Sequence, residues 1–360
     1  MRILAIVQEF DPDSHILGFL YTWLIKITKQ LDELYIVSLE EKHIELEKNI
    51  KVYSLGKELG YHKIHQFYNF NRIVADILLK RKVDLVFVLM CPEYVFLVAP
   101  YAKIRGIPIV MWYAHGSVSM RLRIASFLID RIVSSSEDGF RLNCKKLTIV
   151  GQGIDVNNFQ LPTSNFQIKN NGKKIILSAG RISPIKNYEI LINVADILVN
   201  KGGMKDFKFI IVGGLPIPDQ RDYLYSLKNM VKALNLEDYF DFIGPVSYRD
   251  IHNYYEICDL LINTSNTGSL DKVVLEAMAC RKLVLTCNEA FGDLLKIHSD
   301  ILMFAKNDID SLAEKIIYIL NMDAKDKDRL TNDLRGIVAR NHNLDSFIDN
   351  ILTVFKDAIH

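Results

Sequence analysis

Short apolar runs alternate along the chain with longer stretches in which apolar residues recur every three or four positions. In the first half, ILAIV, LYIVSL, LVFVLM, PIVMWYA and RIVSSS predict buried strands, and FLYTWLIKITKQL and FNRIVADILLKR predict amphipathic helices. This alternation predicts βαβ units and a parallel sheet. Residues 151–172 interrupt it: GQGIDVNNF and LPTSNFQIKNNGKK are rich in turn residues and read as a linker. From Lys173 the rhythm resumes. KIILSAG, KFIIVGG, FDFIGPV, ICDLLIN, KLVLTC and ILMFA predict strands. YEILINVADILVNK, DYLYSLKNMVKAL, DIHNYYEIC, SLAEKIIYILN and SFIDNILTVFKDA predict helices. Another helix starts near Asp271 and carries Val273, Val274, Leu275, Ala277 and Met278.

In such sheets ligands bind beyond the carboxyl ends of the strands. Two such ends stand out in the first half. One is the loop from Gln8 to Gly18; the other is Tyr113-Ala114-His115-Gly116-Ser117. His115 follows a buried strand and precedes a glycine and two serines, which suits a histidine bonding a sugar hydroxyl or one satisfying a backbone carbonyl. In the second half, Gly180 and Arg181 close a strand, and Lys186 lies on the loop leading into the next helix. Two cations beside a helix start suit a diphosphate. Gly213 and Gly214 end the following strand and allow close approach to the backbone.

The stretch Thr264 to Asp271 is small and polar and contains Gly268. Ser269 is a suitable N-cap for the helix that follows, and Asp271 suits its positive end. Glu276, seven residues past Ser269, lies about 10 Å further along the axis at 1.5 Å per residue. That is roughly the span from a diphosphate to the ribose of one nucleotide.

The chain has 360 residues, 44 Lys and Arg against 43 Asp and Glu, and a net charge of +1. The balance argues against a nucleic-acid partner. A length of this size and 49% hydrophobic residues suit two domains. The mean hydropathy is +0.11, and no apolar run reaches bilayer-spanning length. MRILAIVQEF reads as a first strand, not a leader. The five cysteines form no CxxC pair and no cluster with histidine, so neither zinc nor a disulfide framework is expected. A cytoplasmic, reduced and soluble protein is the default expectation. The helix expected over Val118 to Ile129 carries Arg121 and Arg123 among apolar residues, and Lys80, Arg81, Lys82, Lys103 and Arg105 lie elsewhere in the same half. The alternatives for such a face are solvent or the anionic inner face of a membrane.

GRISPIKN, IVGG, FIGPVS, CDLLINTS and LEAMACRKLVL occur in that order over about residues 173–320, and this set resembles the nucleotide-sugar half of the retaining glycosyltransferases of family 4. WYAHG, IVSSS and GQGIDVNNF extend the likeness more loosely to the first half. The resemblance implies an α/β fold of the GT-B type, two Rossmann-like doubly wound domains facing each other across a cleft. Residues 1–165 would form the acceptor-side domain and 166–344 the nucleotide-sugar domain. A helix over 345–360 would pack back on the first.

Carried over by position, Arg181 and Lys186 match the pair that binds and stabilises the leaving diphosphate. Glu276 matches the ribose-binding carboxylate, and His115 resembles the histidine that contacts the transferred sugar. Gly18, Gly180 and Gly213 lie where the backbone approaches the donor, and the backbone near Ile243 matches the strand edge that reads the base. Gly268, Ser269, Leu270, Asp271 and Lys272 occupy the loop before the ribose-binding helix. Gly268 stands where the family usually has a second glutamate, one that contacts the sugar, so that contact must come from elsewhere, with Asp271, Lys272 and Asn266 as candidates.

The chemistry implied is displacement of a nucleoside diphosphate from an anomeric carbon. Fixed cations and N–H groups stabilise the developing negative charge. No metal and no cofactor are expected. The implied partners are a UDP- or GDP-sugar donor and a saccharide or lipid-linked acceptor. Two alternatives stand beside this reading: a nucleotide-sugar epimerase or hydrolase, and a non-catalytic nucleotide-binding relative, which Gly268 keeps open.

Overall fold

The computed structural model describes residues 1–42, 44–157, 159, 166, 172–215 and 221–360. They form two compact units. One comprises Met1–Gly153 together with Leu344–His360, and the other Ile154–Asn343.

The first unit holds a parallel sheet of β1 (Arg2–Phe10), β2 (Glu33–Glu41), β3 (Ile50–Ser54), β4 (Leu85–Leu89), β5 (Ile109–Trp112), β6 (Arg131–Ser134) and β7 (Leu147–Ile149). Their order is β3-β2-β1-β4-β5-β6-β7. β1 pairs with β2 on one side and β4 on the other, with Ala5 opposite Ile36 and Phe87. The central strands β4 and β5 are apolar and buried throughout because both faces of the sheet are covered there. Helices α2 (Lys63–Lys80), α3 (Pro92–Ile104) and α4 (Met120–Leu128) supply one apolar layer. α1 (Gly18–Thr28) and the C-terminal helix Leu344–Ile359 supply the other.

The C-terminal helix is fixed to this unit by aromatic packing. Phe347 lies 4.2 Å from Trp23 and 5.3 Å from Trp112, ring centre to ring centre. Trp23 Nε1 donates to the Gly153 carbonyl at 2.9 Å. A Cβ on Gly153 would stand 2.7 Å from the Phe347 ring, and its φ of +61° also favours glycine.

The second unit holds β8 (Lys174–Ala179), β9 (Phe207–Val212), β10 (Phe240–Gly244), β11 (Leu260–Asn263) and β12 (Leu283–Thr286), all parallel, in the order β10-β9-β8-β11-β12. α5 (Glu189–Asp196) continues as a π-helical turn, Ile197–Lys201. It is followed by α6 (Arg221–Ala233), α7 (Ile251–Ile257), α8 (Lys272–Ala279), α9 (Ser299–Leu302), α10 (Ile309–Leu320) and α11 (Ala324–Asn341). In each sheet the chain winds outward one way and then reverses, between β1 and β4 and between β8 and β11. These reversals are the switch points at which open α/β sheets bind ligands.

Several sequence expectations are corrected. The units divide at Gly153 and Ile154, ahead of the expected 165/166, because Ile154, Val156 and Phe159 pack into the second core. Ile154 also donates its N–H to the His342 carbonyl at 2.7 Å and bridges Asn343. Most of the expected linker lies outside the described residues. ILMFA is not a strand: Ser299–Leu302 is helical, and Met303 makes one isolated bridge to Thr286. α3, α11, β3 and β7 are additional to the predicted elements. α3 is apolar nearly all round, which removes the helical period.

Candidate functional site

The switch point of the second unit is built from the ends of β8 and β11. β8 ends at Gly180. A Cβ on Gly213, which follows β9, would lie 1.7 Å from the Gly180 carbonyl oxygen, so only glycine permits the two backbones to meet. The same carbonyl accepts from Tyr188 Oη at 3.0 Å. Beyond it the chain makes a 3₁₀ turn, Pro184–Lys186, closed by Asn187 in the left-handed region at φ +50°. The Lys186 carbonyl accepts from Thr264 Oγ1 at 2.6 Å, and the Ile185 carbonyl from Asn266 N at 3.0 Å. The turn is thereby sewn to the end of β11.

Lys186 is only 8% exposed. Its Nζ donates to Asp271 Oδ1 at 2.6 Å and to Ser265 Oγ at 3.2 Å. The other oxygen of Asp271, Oδ2, accepts from Asn263 Nδ2 at 3.1 Å and Asn288 Nδ2 at 3.3 Å. The helix cap expected at Ser269 is corrected here. Asp271 occupies the cap position of α8 and makes no capping bond, because its carboxylate turns to Lys186 instead. The Ser269 carbonyl accepts from Asn288 Nδ2 at 2.7 Å. Gly268 has φ +64°, and Leu270 is buried.

Glu276 sits on α8 and is 2% exposed. Its Oε2 accepts from Tyr255 Oη, on α7, at 2.7 Å, and Tyr248 stands beside the same carboxylate. Oε1 is buried and has no hydrogen-bond partner among the described residues. Burial pushes the carboxyl above its ordinary range, against the pull of Lys272. The Lys272 ammonium is in turn pushed down to about 7 by desolvation, with Glu276 opposing. His342, at the end of α11, is pushed down to about 4 by burial and secondarily by the charge on Lys272.

Arg181 is exposed and takes no part in the bonds around Lys186. Ile243 is 39% exposed on β10, an edge strand. In the first unit, Gly18 opens α1 and donates its N–H to the Ser14 carbonyl at 3.2 Å. Ser14 Oγ donates to Glu9 Oε2 at 2.7 Å, and burial raises the Glu9 carboxyl. His115 follows β5. Its Nδ1 accepts from Ser117 N at 3.1 Å, so the neutral ring carries its proton on Nε2, a donor.

The structure therefore gathers Lys186, Asp271 and the Gly180–Gly213 contact at one switch point. Glu276 lies deeper on the same helix, and His115 and Gly18 belong to the other unit. Sequence reasoning missed Asn263, Ser265, Asn288, Tyr255 and His342. The first three carried a readable signal, since each is a polar residue just at or past the end of an apolar strand run. Among the described residues, no group of three His, Cys, Asp or Glu side chains converges as a metal site. No helix among them is long and apolar enough to cross a membrane.

The solved structure of Anabaena HepE in complex with UDP and glucose is similar to this chain over 99% of its length and 100% of HepE, with a TM-score of 0.80 at 18% identity. Sucrose-phosphate synthase from Thermosynechococcus elongatus matches over 99% of both chains, with a TM-score of 0.77 at 16% identity. At these identities the likeness is one of fold, and the fold is GT-B. Among curated proteins, an uncharacterized glycosyltransferase of Haemophilus influenzae is 28% identical over 171 residues, 46% of each chain. The human GDP-Man:Man(3)GlcNAc(2)-PP-Dol alpha-1,2-mannosyltransferase is 24% identical over 192 residues, 51% of this chain and 39% of its own. The matched region spans less than half the length of these curated relatives. The family model for glycosyl transferases group 1 matches residues 146–357, more than half of the chain. With its two Rossmann-like units and the polar switch point between β8 and β11, the chain belongs to the glycosyl transferases group 1 and carries their GT-B fold.

Proposed function

We propose that this protein is a retaining glycosyltransferase that moves a sugar from a UDP- or GDP-sugar to a saccharide or lipid-linked acceptor, without a metal ion. The observation that carries the reading is the orphaned Oε1 of Glu276, on the helix whose cap residue grips Lys186. A buried acceptor without a donor is uncommon, and a ribose hydroxyl supplies one. Lys186, held against the start of that helix by Asp271, then meets the diphosphate, with Arg181 reaching in from the exposed side. Gly180, Gly213, Gly268 and Ser269 let the backbone approach the donor, and the Ile243 edge meets the base. His115, donating from Nε2, takes the sugar, and Gly18 marks the acceptor-side loop. Solved relatives hold UDP and UDP-glucose, which supports a nucleotide donor.

As bonds break at the anomeric carbon, negative charge grows on the leaving diphosphate. A preplaced ammonium stabilises that charge without reorganising, an effect worth about 3 kcal/mol for one donor. Thermal shift against UDP, GDP and ADP tests the reading, with Lys186→Ala as control. A ligand at a hundred times its Kd stabilises the folded state by about 2.7 kcal/mol. A shift with one nucleotide that is lost in the variant is expected. No shift with any of the three would sink the donor assignment, and the anomeric configuration of the product, read by NMR, decides retention.

The reading includes a cytoplasmic location with peripheral contact to the inner membrane face. Met120, Ile124 and Phe127 lie on the outer side of α4, 70%, 49% and 83% exposed, beside Arg121 and Arg123. Apolar side chains flanked by arginines suit an anionic bilayer surface.

A further inference from the structure

The carboxylate of Asp271 is more completely engaged than a sugar-binding group would be. Lys186 Nζ donates to Oδ1, and the amides of Asn263 and Asn288 donate to Oδ2, filling three of about four acceptor positions. Turning either amide round would set its oxygen against the Asp271 carboxylate. Asn263 Oδ1 accepts from Thr286 Oγ1 at 3.0 Å, and Asn288 Oδ1 accepts from Ala290 N at 3.1 Å. Each Nδ2 must therefore face Asp271. Asn263 and Asn288 are buried, at or just past the ends of the neighbouring strands β11 and β12, so the frame is rigid.

We propose that Asp271 is the positioning residue for Lys186 rather than a contact to the transferred sugar. This rests on the functional reading above. The frame fixes Asp271, Asp271 fixes the ammonium, and Ser265 takes a second of its three protons. One N–H is left for an oxygen of the leaving diphosphate. A lysine on a flexible stem otherwise spreads over many rotamers. The site gains a preoriented donor, and part of its positive charge is already balanced before substrate arrives.

Asp271→Asn is the sharp test, because the shape is kept and one acceptor becomes a donor. Either its amide nitrogen faces the Asn263 and Asn288 donors, or it faces the Lys186 ammonium. The first sets donor against donor in the frame and leaves Lys186 only a neutral oxygen on an unanchored side chain; the second removes its acceptor, so in both the carboxylate's hold on Lys186 is lost. We expect kcat to fall at least tenfold while KM for the donor changes less than threefold. We expect the double variant Lys186→Ala, Asp271→Asn to be no slower than Lys186→Ala alone. The double variant should also melt above Lys186→Ala, which leaves a buried carboxylate without its cation.

Multiplicative losses in the double variant would overturn the proposal, as would Asp271→Asn with wild-type kcat and an altered preference among donor sugars. An active wild type with either result overturns this role alone. A wild type that neither binds nucleotide nor turns over overturns the functional reading beneath it.

Discussion

Tyr255 Oη donates to Glu276 Oε2 at 2.7 Å, and neither side chain is open to solvent. Tyr255 thereby occupies one carboxylate oxygen and leaves the other, Oε1, as the free acceptor. Removing the hydroxyl in Tyr255→Phe should destabilise the fold by about 1–3 kcal/mol, the cost of a buried acceptor losing its donor. Glu276→Gln should instead fold well, since it removes a buried charge, and should lose discrimination between ribo- and 2′-deoxyribonucleotides. Competition of UDP against its 2′-deoxy form, measured by calorimetry, checks this. An unchanged preference in Glu276→Gln would remove Glu276 from the ribose contact.

Gly213 touches the Gly180 carbonyl so closely that a methyl group there would sit 1.7 Å from the oxygen. Gly213→Ala must push β9 and the Gly180–Arg181 turn apart. Overpacking of this kind costs about 1–3 kcal/mol. Urea denaturation should show a lower midpoint at an unchanged slope. A wild-type midpoint would mean that the contact is absent in solution.

His342 sets a pH dependence. Its pKa is 6.5 in an exposed chain and is pushed down to about 4 in the fold, by burial and then by Lys272. Above pH 6.5 the ring is neutral in both states, and the fold keeps its full stability. As pH falls through the window from 6.5 to about 4, the unfolded chain takes up a proton that the fold refuses, so stability drops. The loss approaches about 3 kcal/mol at the bottom of the window. His342→Gln should flatten the curve across it relative to wild type. Parallel curves would show that His342 does not titrate as described.

The outer face of α4 makes a prediction about lipid. The chain should co-sediment with vesicles containing anionic lipid, more weakly as salt is raised. It should not co-sediment with neutral vesicles. Ile124→Asp with Phe127→Asp should abolish binding by at least tenfold without lowering Tm, because both side chains are exposed. Equal binding of wild type and variant would show that this face does not meet the membrane. Concentration-dependent self-association in the absence of vesicles would assign the face to a second copy instead.

Most of the two sheets was legible in the sequence. ILAIV, KIILSA and KLVLT are continuous apolar runs, and a strand buried on both faces needs nothing more to declare itself. The short edge strands β3 and β7 were not legible, because their residues are half exposed and carry little apolar signal. ILMFA misled for the opposite reason: it is apolar enough for a strand, yet Ser299–Leu302 coils and the remainder packs as irregular chain. Within the site, Lys186 and Glu276 stood out as charged residues in a recognisable order of motifs. Asp271 stood out only as a residue suited to the positive end of the helix and as one of three candidates for the missing sugar contact.

The sequence alone determined the alternation of strand and helix, the presence of two α/β units and the family order of motifs from Gly180 to Glu276. These follow from local periodicity and from residues close together in the chain. Only the tertiary structure decided which partners the polar side chains take. Asp271 reaches Lys186 across 85 positions, and Trp23 reaches Gly153 across 130. A buried charge or indole N–H must find a partner, but which partner it finds depends on the strands brought beside it. Strand order is a property of the folded sheet, and no window along the chain contains it.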